Sequence, residues 1–479
     1  MKKNMFFIFT VGLALFSVQS ALASPNFIII LLDDYGWSSL SQSMDKRFPA
    51  AKSDYYETPN INALMNMGMR FSNGYAASPV CAPTRYSLQF GKTPARIGIT
   101  RGLGPNNAEH DQISIAELLK SINSSYRTAH IGKWHIDADP SQYGYDLHDG
   151  ITKNAPGGFA NNDSKRQWQG YAEDDPKRVD SLTERAIHFM EETISQKRPF
   201  FLQLSHYAVH SDIVYSQASF EITRKRPKGA LHFDEGYAAM VEDLDHSIGV
   251  LAKSFQELGL ATNTYIFLTS DNGGMPVLPQ RQNLGKPYSA GLNSPLLRGK
   301  WDLTEGGIRV PFSISGPGIA KNSQTDTPVV TYDILPTVLD IAAGSTSELP
   351  KEIDGGSLWM LAEGKADLVE RPYDFLVFHY PHYNRVGMNE PHSAIRYGDV
   401  KMIRFPVSGR RLVFDLENDS GEQNDLSDVR QDLTNLLDSK LTEYLNSIDA
   451  ERPEHAFNWK TTGKSGRVRT KFFQRYGSE

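Results

Sequence analysis

The chain has 479 residues, with 50 basic and 56 acidic side chains and a formal net charge of −6. This mild acidity argues against a nucleic-acid partner, which would favour a basic surface, but it allows anionic ligands at a locally basic pocket. A chain of this size can bury a large core without disulfides, so pairing does not explain its single cysteine, Cys81.

The first 23 residues have the organisation of a signal peptide. Lys2 and Lys3 precede a mostly apolar segment over residues 6–18, and Ala21-Leu22-Ala23 forms a small-x-small cleavage site. The apolar segment is too short to cross a bilayer. We predict cleavage near Ala23 and a periplasmic or secreted protein without a membrane span. Its 48 basic and 56 acidic residues would give a net charge of −8.

Strands alternate with helices over residues 24–365. The run NFIIILL (26–32) is typical of a buried central strand, and segments 198–207 and 263–274 repeat an apolar strand followed by polar residues. Residues 237–260 carry apolar side chains at helical spacing. This alternation predicts an α/β domain in which helices sandwich a large, mainly parallel sheet.

The pattern changes after residue 365. Segments 373–380, 393–405 and 410–426 are predicted to form strands of an antiparallel meander, and residues 430–448 an amphipathic helix. We therefore predict a main domain over 24–365 and a smaller C-terminal α+β subdomain, built on an antiparallel sheet, over 366–479.

Polar side chains follow two of the predicted parallel strands. Asp33 and Asp34 end the first strand, and Asp271 and Asn272 end the strand at 263–270. Ligands gather beyond the carboxyl ends of such strands, and hard oxygen donors suit Ca²⁺ or Mg²⁺ better than zinc. Either pair alone would be an ordinary turn, but two pairs at matching positions favour a metal site.

The segment around Cys81 contains the pattern Cys-x-Pro-x-Arg, as CAPTR at 81–85. Alone, such a short pattern arises by chance, and Cys81 could be a small buried hydrophobe. Seven segments surround or follow it in order: PNFIIILLDDYGW (25–37), ETPNINALMNMGMRFSNGYAASPVCAPTRYSL (57–88), GKWH (132–135), SDNGG (270–274), LRGKWDLTEGGIRVPF (297–312), SAIRYGDVKMI (393–403) and FDLENDSGEQNDL (414–426). With them the whole mature chain resembles the type I sulfatases of the alkaline-phosphatase-like superfamily.

The resemblance implies a modified cysteine and a cation. In this family the motif cysteine is oxidised to formylglycine, so Cys81 would be converted by a formylglycine-generating or anaerobic sulfatase-maturating enzyme. The cation would be Ca²⁺, with Mg²⁺ as the alternative. Its implied ligands are Asp33, Asp34, Asp271, Asn272 and the modified Cys81.

The resemblance also assigns catalytic roles. Arg85 and Lys133 would hold the formylglycine hydrate and the sulfate oxygens, and His135 would contact the second hydroxyl of the hydrate. His210 and Lys300 would lie on the leaving-group side. Val209 precedes His210 where many members carry proline, so the pose of that histidine is the least determined. Each basic residue could otherwise be an ordinary surface charge.

A segment rich in His, Tyr and Arg, residues 378–398, lies in the predicted C-terminal subdomain. Aromatic faces suit sugar rings and arginine pairs with anions, so we predict that this segment contacts the substrate. Packing between the two domains is an equal alternative. The candidate residues are His379, His382, Tyr383, Arg385 and His392.

The implied function is hydrolysis of a sulfuric ester on a sulfated carbohydrate. One alternative is a phosphoester or phosphonate monoester hydrolase of the same superfamily, and the GKWH and LRGK segments favour the sulfatase. Another is a catalytically inactive protein that binds sulfated glycans. Every charged position required by the sulfatase mechanism is occupied, which argues against it.

Overall fold

The structure is a computed structural model. It describes residues 24–101, 112–157, 170–171 (backbone), 174–275, 293–350, 352–383 and 390–453. The predicted signal peptide, Arg385 and the end of the predicted C-terminal subdomain (454–479) lie outside these residues. Within them, no helix combines the length and the apolar character that crossing a membrane requires.

The described residues form sixteen strands. In chain order they are β1 (Asn26–Leu32), β2 (Met69–Phe71), β3 (Gly74–Tyr75), β4 (Arg127–Gly132), β5 (Leu147–His148), β6 (Gly170–Tyr171), β7 (Phe200–Ser205), β8 (Val214–Tyr215), β9 (Thr264–Ser270), β10 (Phe312–Ser315), β11 (Ser323–Thr325), β12 (Val329–Val330), β13 (Leu376–Tyr380), β14 (His392–Tyr397), β15 (Val400–Arg404) and β16 (Arg411–Asp415).

Eleven α-helices occur in the same part of the chain. They are α1 (Pro59–Met65), α2 (Cys81–Phe90), α3 (Pro94–Ile97), α4 (Ile115–Ile122), α5 (Val179–Ser195), α6 (Gln217–Thr223), α7 (Glu235–Glu257), α8 (Glu305–Ile308), α9 (Ile334–Ala343), α10 (Trp359–Ala362) and α11 (Gln431–Ser447).

The main sheet has eight strands in the order β11-β2-β10-β9-β1-β7-β4-β5. Strand β1 is central and parallel to β7 and β9, while β10 is antiparallel to both of its neighbours. The mainly parallel α/β sheet predicted from the sequence is thereby confirmed. The three strands expected from apolar runs correspond to β1, β7 and β9.

Two hydrophobic cores cover the two faces of this sheet. Successive side chains of a strand point to opposite faces. Ile28, Ile30 and Leu32 therefore enter one core with α5 and α7, while Phe27 and Ile29 enter the other with α2, α4 and α9. The helices thus sandwich the sheet, as the alternation of strands and helices predicts.

Helix α7 illustrates why the sequence forms these elements. The Asp234 side chain caps it by accepting a hydrogen bond from the Tyr237 backbone N–H. Its apolar stripe, which includes Leu244, Ile248 and Leu251, is buried in the first core. The observed range Glu235–Glu257 begins two residues earlier than expected, because the cap at Asp234 sets the start.

A second, antiparallel sheet follows, with the order β13-β14-β15-β16. Its Phe378 face packs against Tyr75 and Leu303 of the preceding region. Its Val377 face is covered by α11 through residues such as Leu437. This is the expected C-terminal α+β arrangement, and the proposed boundary at 365/366 falls between α10 and β13.

Candidate active site

The pairing of two neighbouring strands brings four polar residues together. In the parallel ladder of β1 and β9, Leu32 is opposite Ser270, so the residues that follow emerge side by side at the carboxyl edge. The Asp34 backbone N–H donates to Asp271 Oδ1 at 3.1 Å, and Asn272 Nδ2 donates to Asp34 Oδ1 at 2.7 Å. Asp33, Asp34, Asp271 and Asn272 are all fully buried.

Helix α2 presents Cys81 to these carboxylates. Cys81 is the first residue of the helix and 5% exposed, and its Sγ lies 3.6 Å from Asp33 Oδ1 and 3.8 Å from Asp34 Oδ1. Pro83 is tolerated because a first-turn N–H has no partner inside a helix. Burial, reinforced by Asp271, raises the pKa of the Cys81 thiol, so the side chain is a neutral thiol. As a thiol it would be a poor nucleophile.

Arg85 follows Cys81 by one helical turn, which places both side chains on the same face of α2. Arg85 is 1% exposed, and its Nε lies 2.9 Å and its Nη2 2.7 Å from Asp271 Oδ2. Its Nη1 donates to the Lys133 carbonyl. The spacing of the Cys-x-Pro-x-Arg motif thus places Cys81 near the end of β9, because the guanidinium of Arg85 bonds to Asp271 there.

Two lysines pair with the other two carboxylates. Lys133 follows β4, and its Nζ donates to Asp33 Oδ2 at 2.6 Å. Lys300 approaches from a separate loop, and its Nζ lies 2.7 Å from Asp34 Oδ1 and Oδ2. Burial, the largest single effect, would lower the pKa of Lys300, but the charges of Asp34 and Asp33 and the hydrogen bond to Asp34 together raise that pKa, so the ammonium is retained.

Two histidines border this group. His210 donates from Nδ1 to the Ser211 carbonyl, and its Nε2 lies 3.7 Å from Asp34 Oδ2. The His135 Nδ1 is buried without a hydrogen-bond partner in the described part of the chain. Burial, together with Lys133 and Arg85, holds the pKa of His135 well below its usual range, so the ring is neutral near pH 7.

The side-chain oxygens of Asp33, Asp34 and Asn272 fit a hard cation, whereas the Cys81 thiol and the His210 imidazole are softer donors. Asp33, Asp34, Cys81 and His210 each offer an atom, and these four atoms lie within 4.8 Å of one another. Asn272 Oδ1 is buried and accepts no hydrogen bond among the described residues, which leaves it available as a ligand. Buried oxygens without partners are costly unless something binds them. The set contains His210, which the sequence assigned to the leaving group, and not Asp271, which Arg85 holds.

The histidines of the C-terminal sheet lie apart from this cluster. His392 is 1% exposed; its Nδ1 donates to the Glu390 carbonyl and its Nε2 accepts from the Leu303 N–H at 3.0 Å. With both ring nitrogens bonded, it has a structural role in place of the predicted substrate contact. At this position the segment 378–398 therefore packs the C-terminal sheet against the loop that contains Leu303. This is the packing between the two domains that was given above as the alternative.

His379 and His382 are also buried in the C-terminal region. His379 bonds to Ser393 Oγ and the Glu451 carbonyl, each at 2.7 Å, and lines a cavity of about 200 Å³ formed by C-terminal residues alone. His382 Nε2 lies 2.7 Å from Thr100 Oγ1. Neither bonds to the carboxylate cluster. The sequence could not show this, because composition does not report which side chains are already paired.

The sequence reasoning missed Lys177, which is 3% exposed. The charges of Asp212, Asp33 and Asp34 act on its ammonium group, so it belongs to the surroundings of the cluster. In the sequence it lies within the charged run EDDPKR, which is typical of a solvated surface. No motif or spacing signal distinguishes it there.

Comparison with known proteins agrees with this architecture. A family model described as Sulfatase matches residues 25–345, and one described as N-sulphoglucosamine sulphohydrolase, C-terminal, matches residues 299–450. N-acetylgalactosamine-6-sulfatase of Homo sapiens is 30% identical over 389 residues, covering 74% of this chain and 68% of its own length. An ulvan-active sulfatase of Formosa agariphila is 27% identical over 465 residues, with coverages of 90% and 83%.

A solved structure, that of Ps i-CgsB, has a TM-score of 0.73 at 25% identity and covers 93% of this chain and 98% of its own. The fold, the buried cluster and these matches define a sulfuric ester hydrolase. The chain belongs to the sulfatase family, within the alkaline-phosphatase-like superfamily.

Proposed function

We propose that this protein removes sulfate from a sulfated carbohydrate after export and cleavage near Ala23. The observation that carries the proposal is the convergence of Cys81 with three buried cations on three carboxylates at the sheet edge. The substrate class is supported by relatives named for N-acetylgalactosamine 6-sulfate and for ulvan.

The residues present fit the two groups that the family uses. A Ca²⁺ or Mg²⁺ ion would be bound by Asp33, Asp34, Asn272, the modified Cys81 and the Oδ1 of Asp271, since Arg85 holds only the Oδ2 of that carboxylate. The ion would supply Lewis-acid charge, while formylglycine made from Cys81 by a maturating enzyme would supply the nucleophilic oxygen. The short Sγ–carboxylate distances and the unpartnered Asn272 Oδ1 support both assignments.

Arg85, Lys133 and Lys300 prepare the site for the sulfate group. A sulfate monoester is a poor electrophile because negative oxygens surround its sulfur. Cations fixed in advance in a buried site stabilise the charge of the transition state without having to reorganise. The bonds of Arg85 to Asp271, Lys133 to Asp33 and Lys300 to Asp34 provide that fixed geometry.

Two groups of residues would move protons. A neutral His135 with an unpartnered Nδ1 is suited to act as the base at residue 81. Lys300, which keeps its ammonium protons, would donate a proton to the departing alcohol oxygen. His210 is the alternative donor and would first have to be protonated at Nε2, because its Nδ1 proton is bonded to the Ser211 carbonyl.

The proposal is tested by comparing turnover of 4-nitrophenyl sulfate and 4-nitrophenyl phosphate. We expect a clear preference for the sulfate ester. A preference for phosphate would assign the alternative phosphoester or phosphonate hydrolase. Binding of sulfated glycans without any turnover, after the aldehyde at position 81 is verified, would assign the inactive glycan-binding alternative.

The carbohydrate is identified by a desulfation screen on defined sulfated oligosaccharides, followed by sizing of the products. We expect release of sulfate from at least one class of sulfated sugar. Hydrolysis of aryl sulfates combined with inactivity on every sulfated saccharide would contradict the proposed substrate class while leaving the sulfatase activity intact.

A further inference from the structure

A lysine is buried beside the catalytic cluster without a bonded partner. Lys177 is 3% exposed and lies in the turn Pro176–Arg178, immediately before α5. In the described part of the chain, its ammonium group forms neither a hydrogen bond nor an ion pair within 4.0 Å. This differs from Arg85, Lys133 and Lys300, each of which is bonded to a carboxylate.

The backbone of this turn is strained in a way that directs Lys177 inward. Lys177 has φ 56° and Arg178 has φ 55°, both in the left-handed region. For residues other than glycine this conformation costs about 1–2 kcal/mol each. The side chain of Lys177 is buried, while that of Arg178 is exposed. Such strain persists only where the surroundings enforce it, and it is concentrated at functional sites.

The charges facing Lys177 belong to the active site and its rim. Asp212, two residues after His210, has the largest charge effect on it, followed by Asp33, with Lys133 opposing. Lys177 in turn acts on His210. Burial lowers the pKa of Lys177 to about 8, so the ammonium still carries its charge near pH 7. The Lys177 side chain is therefore positively charged, 3% exposed and without a bonded partner among the described residues, and its charge acts on Asp33 and His210.

Fold stability alone gives no reason for such a residue. Burying a charged group without a partner is costly, and an apolar side chain of similar length would fill the same space more favourably. A ligand that brings its own negative charge would remove that cost. Under the proposed function, the scissile sulfate would face Arg85, Lys133 and Lys300, so the charge that pairs with Lys177 would belong to a different group of the ligand.

We propose that Lys177 binds a second anionic group, a carboxylate or another sulfate, on the saccharide that carries the scissile ester. Lys177 is thus a specificity residue that selects substrates with two neighbouring negative charges. This inference rests on the proposed sulfatase function on carbohydrates.

The test is Lys177→Met, which removes the charge and keeps the length of the side chain. Arg178→Met is the matched control, because it removes a charge from the same turn at the same φ but on the exposed side. The substrates are 4-nitrophenyl sulfate, with one anion, and pairs of sulfated saccharides with and without a second sulfate or a uronate. Lys177→Gln is a second variant that lacks the charge. Formylglycine content and urea unfolding are measured for each variant.

We expect the wild type to prefer saccharides with a second anion. Lys177→Met should lower kcat/KM on these by about 10- to 100-fold, the range for loss of a hydrogen bond to a charged group, mostly through KM. On 4-nitrophenyl sulfate the loss should be much smaller than on the saccharides with a second anion, while Arg178→Met should stay within about twofold of the wild type on all substrates.

Three results would overturn the inference alone: a wild type indifferent to the second anion, a preference retained in both Lys177 variants, or an equal loss on every substrate including 4-nitrophenyl sulfate. A wild type with verified formylglycine that hydrolyses no sulfate ester would overturn the proposed function, and the inference with it. The wild-type assay therefore separates the two failures.

Discussion

Individual residues in this site are matched by charge. Arg85, Lys133 and Lys300 face Asp271, Asp33 and Asp34 in three buried pairs. Removing charges from water costs several kcal/mol per ion, so a buried pair is stable only while both partners are present. The residues that we propose prepare the chemistry therefore also stabilise the sheet edge, and we expect a substitution at one of them to change activity and stability by different amounts.

Two substitutions of Arg85 separate the effect on activity from the effect on stability. Arg85→Lys keeps the charge but loses the two-nitrogen contact with Asp271, and we expect kcat to fall by about 10²- to 10³-fold, as for loss of one preorganised donor. Arg85→Met leaves the Asp271 carboxylate buried and uncompensated. We expect it to lower the free energy of unfolding by about 3–5 kcal/mol in urea with chelator present.

The control for Arg85→Met is Arg185→Met. Arg185 pairs with Asp149 at the surface and its side chain is 45% exposed, so its loss should cost at most about 1 kcal/mol. Equal unfolding free energies for the two variants would contradict the buried-pair account.

Secondary-structure elements determine where these residues meet. The register of β1 with β9 places Asp33-Asp34 beside Asp271-Asn272. The helical turn from Cys81 to Arg85 places both motif side chains on one face of α2. A third element, α8, begins with Glu305, which lies five residues after Lys300. Glu305 is joined to the C-terminal sheet through Lys401 of β15, whose Nζ lies 2.8 Å from Glu305 Oε1.

Lys401 is expected to anchor this contact between elements. Its Nζ also lies 2.9 Å from Glu422 Oε1, and all three side chains are fully buried. Lys401→Met would leave Glu422 without its cation and Glu305 with Arg309 alone, at 3.5 Å, and we expect the free energy of unfolding to fall by about 3–5 kcal/mol in urea titrations. Lys253→Met, at a side chain 76% exposed and paired with Glu257, should change it by less than about 1 kcal/mol. A similar change in the free energy of unfolding in both variants would show that Lys401 does not anchor the contact between α8 and the C-terminal sheet.

The sequence predicts the elements better than it predicts side-chain partners. The continuous β-branched run at β1 and the apolar stripe of α7 are local patterns, and the structure confirms both. His392 looks like a sugar ligand in sequence, but its partner is the Leu303 N–H, 89 residues away. Lys177 gives no sequence signal because its burial depends on the strained turn that precedes α5. Contacts of this kind are set by tertiary packing, which no local pattern records.

At the scale of the whole molecule, the four-stranded C-terminal sheet meets the region of the eight-stranded main sheet at one loop. The C-terminal sheet packs through Phe378 and Phe414 against the region that contains Leu303, and His392 bonds to the backbone of that same residue. This contact lies three residues from Lys300. The C-terminal region therefore supports the loop that carries one of the three cations of the site, even though its histidines do not reach the carboxylate cluster.

A bound cation should stabilise the entire fold. Because the ligands are assembled only in the native state, free Ca²⁺ or Mg²⁺ at about 100 times its Kd would add about 2.7 kcal/mol to the free energy of unfolding. We expect EDTA to lower Tm and to abolish sulfate-ester hydrolysis, and added Ca²⁺ or Mg²⁺ to restore both. Asp33→Asn combined with Asn272→Ala should eliminate the metal-dependent shift in Tm. A shift that persists in this double variant would place the cation elsewhere.

We propose that Cys81 is converted to formylglycine and that this residue performs the hydrolysis. The direct measurement is peptide mass spectrometry across residue 81 on active, natively secreted protein, combined with the sulfate-ester turnover of Cys81→Ser. We expect the aldehyde or its hydrate in the active wild type and loss of turnover in the variant. An intact thiol at position 81 in fully active protein, or a Cys81→Ser variant with undiminished hydrolysis, would show that formylglycine at this position does not perform the reaction.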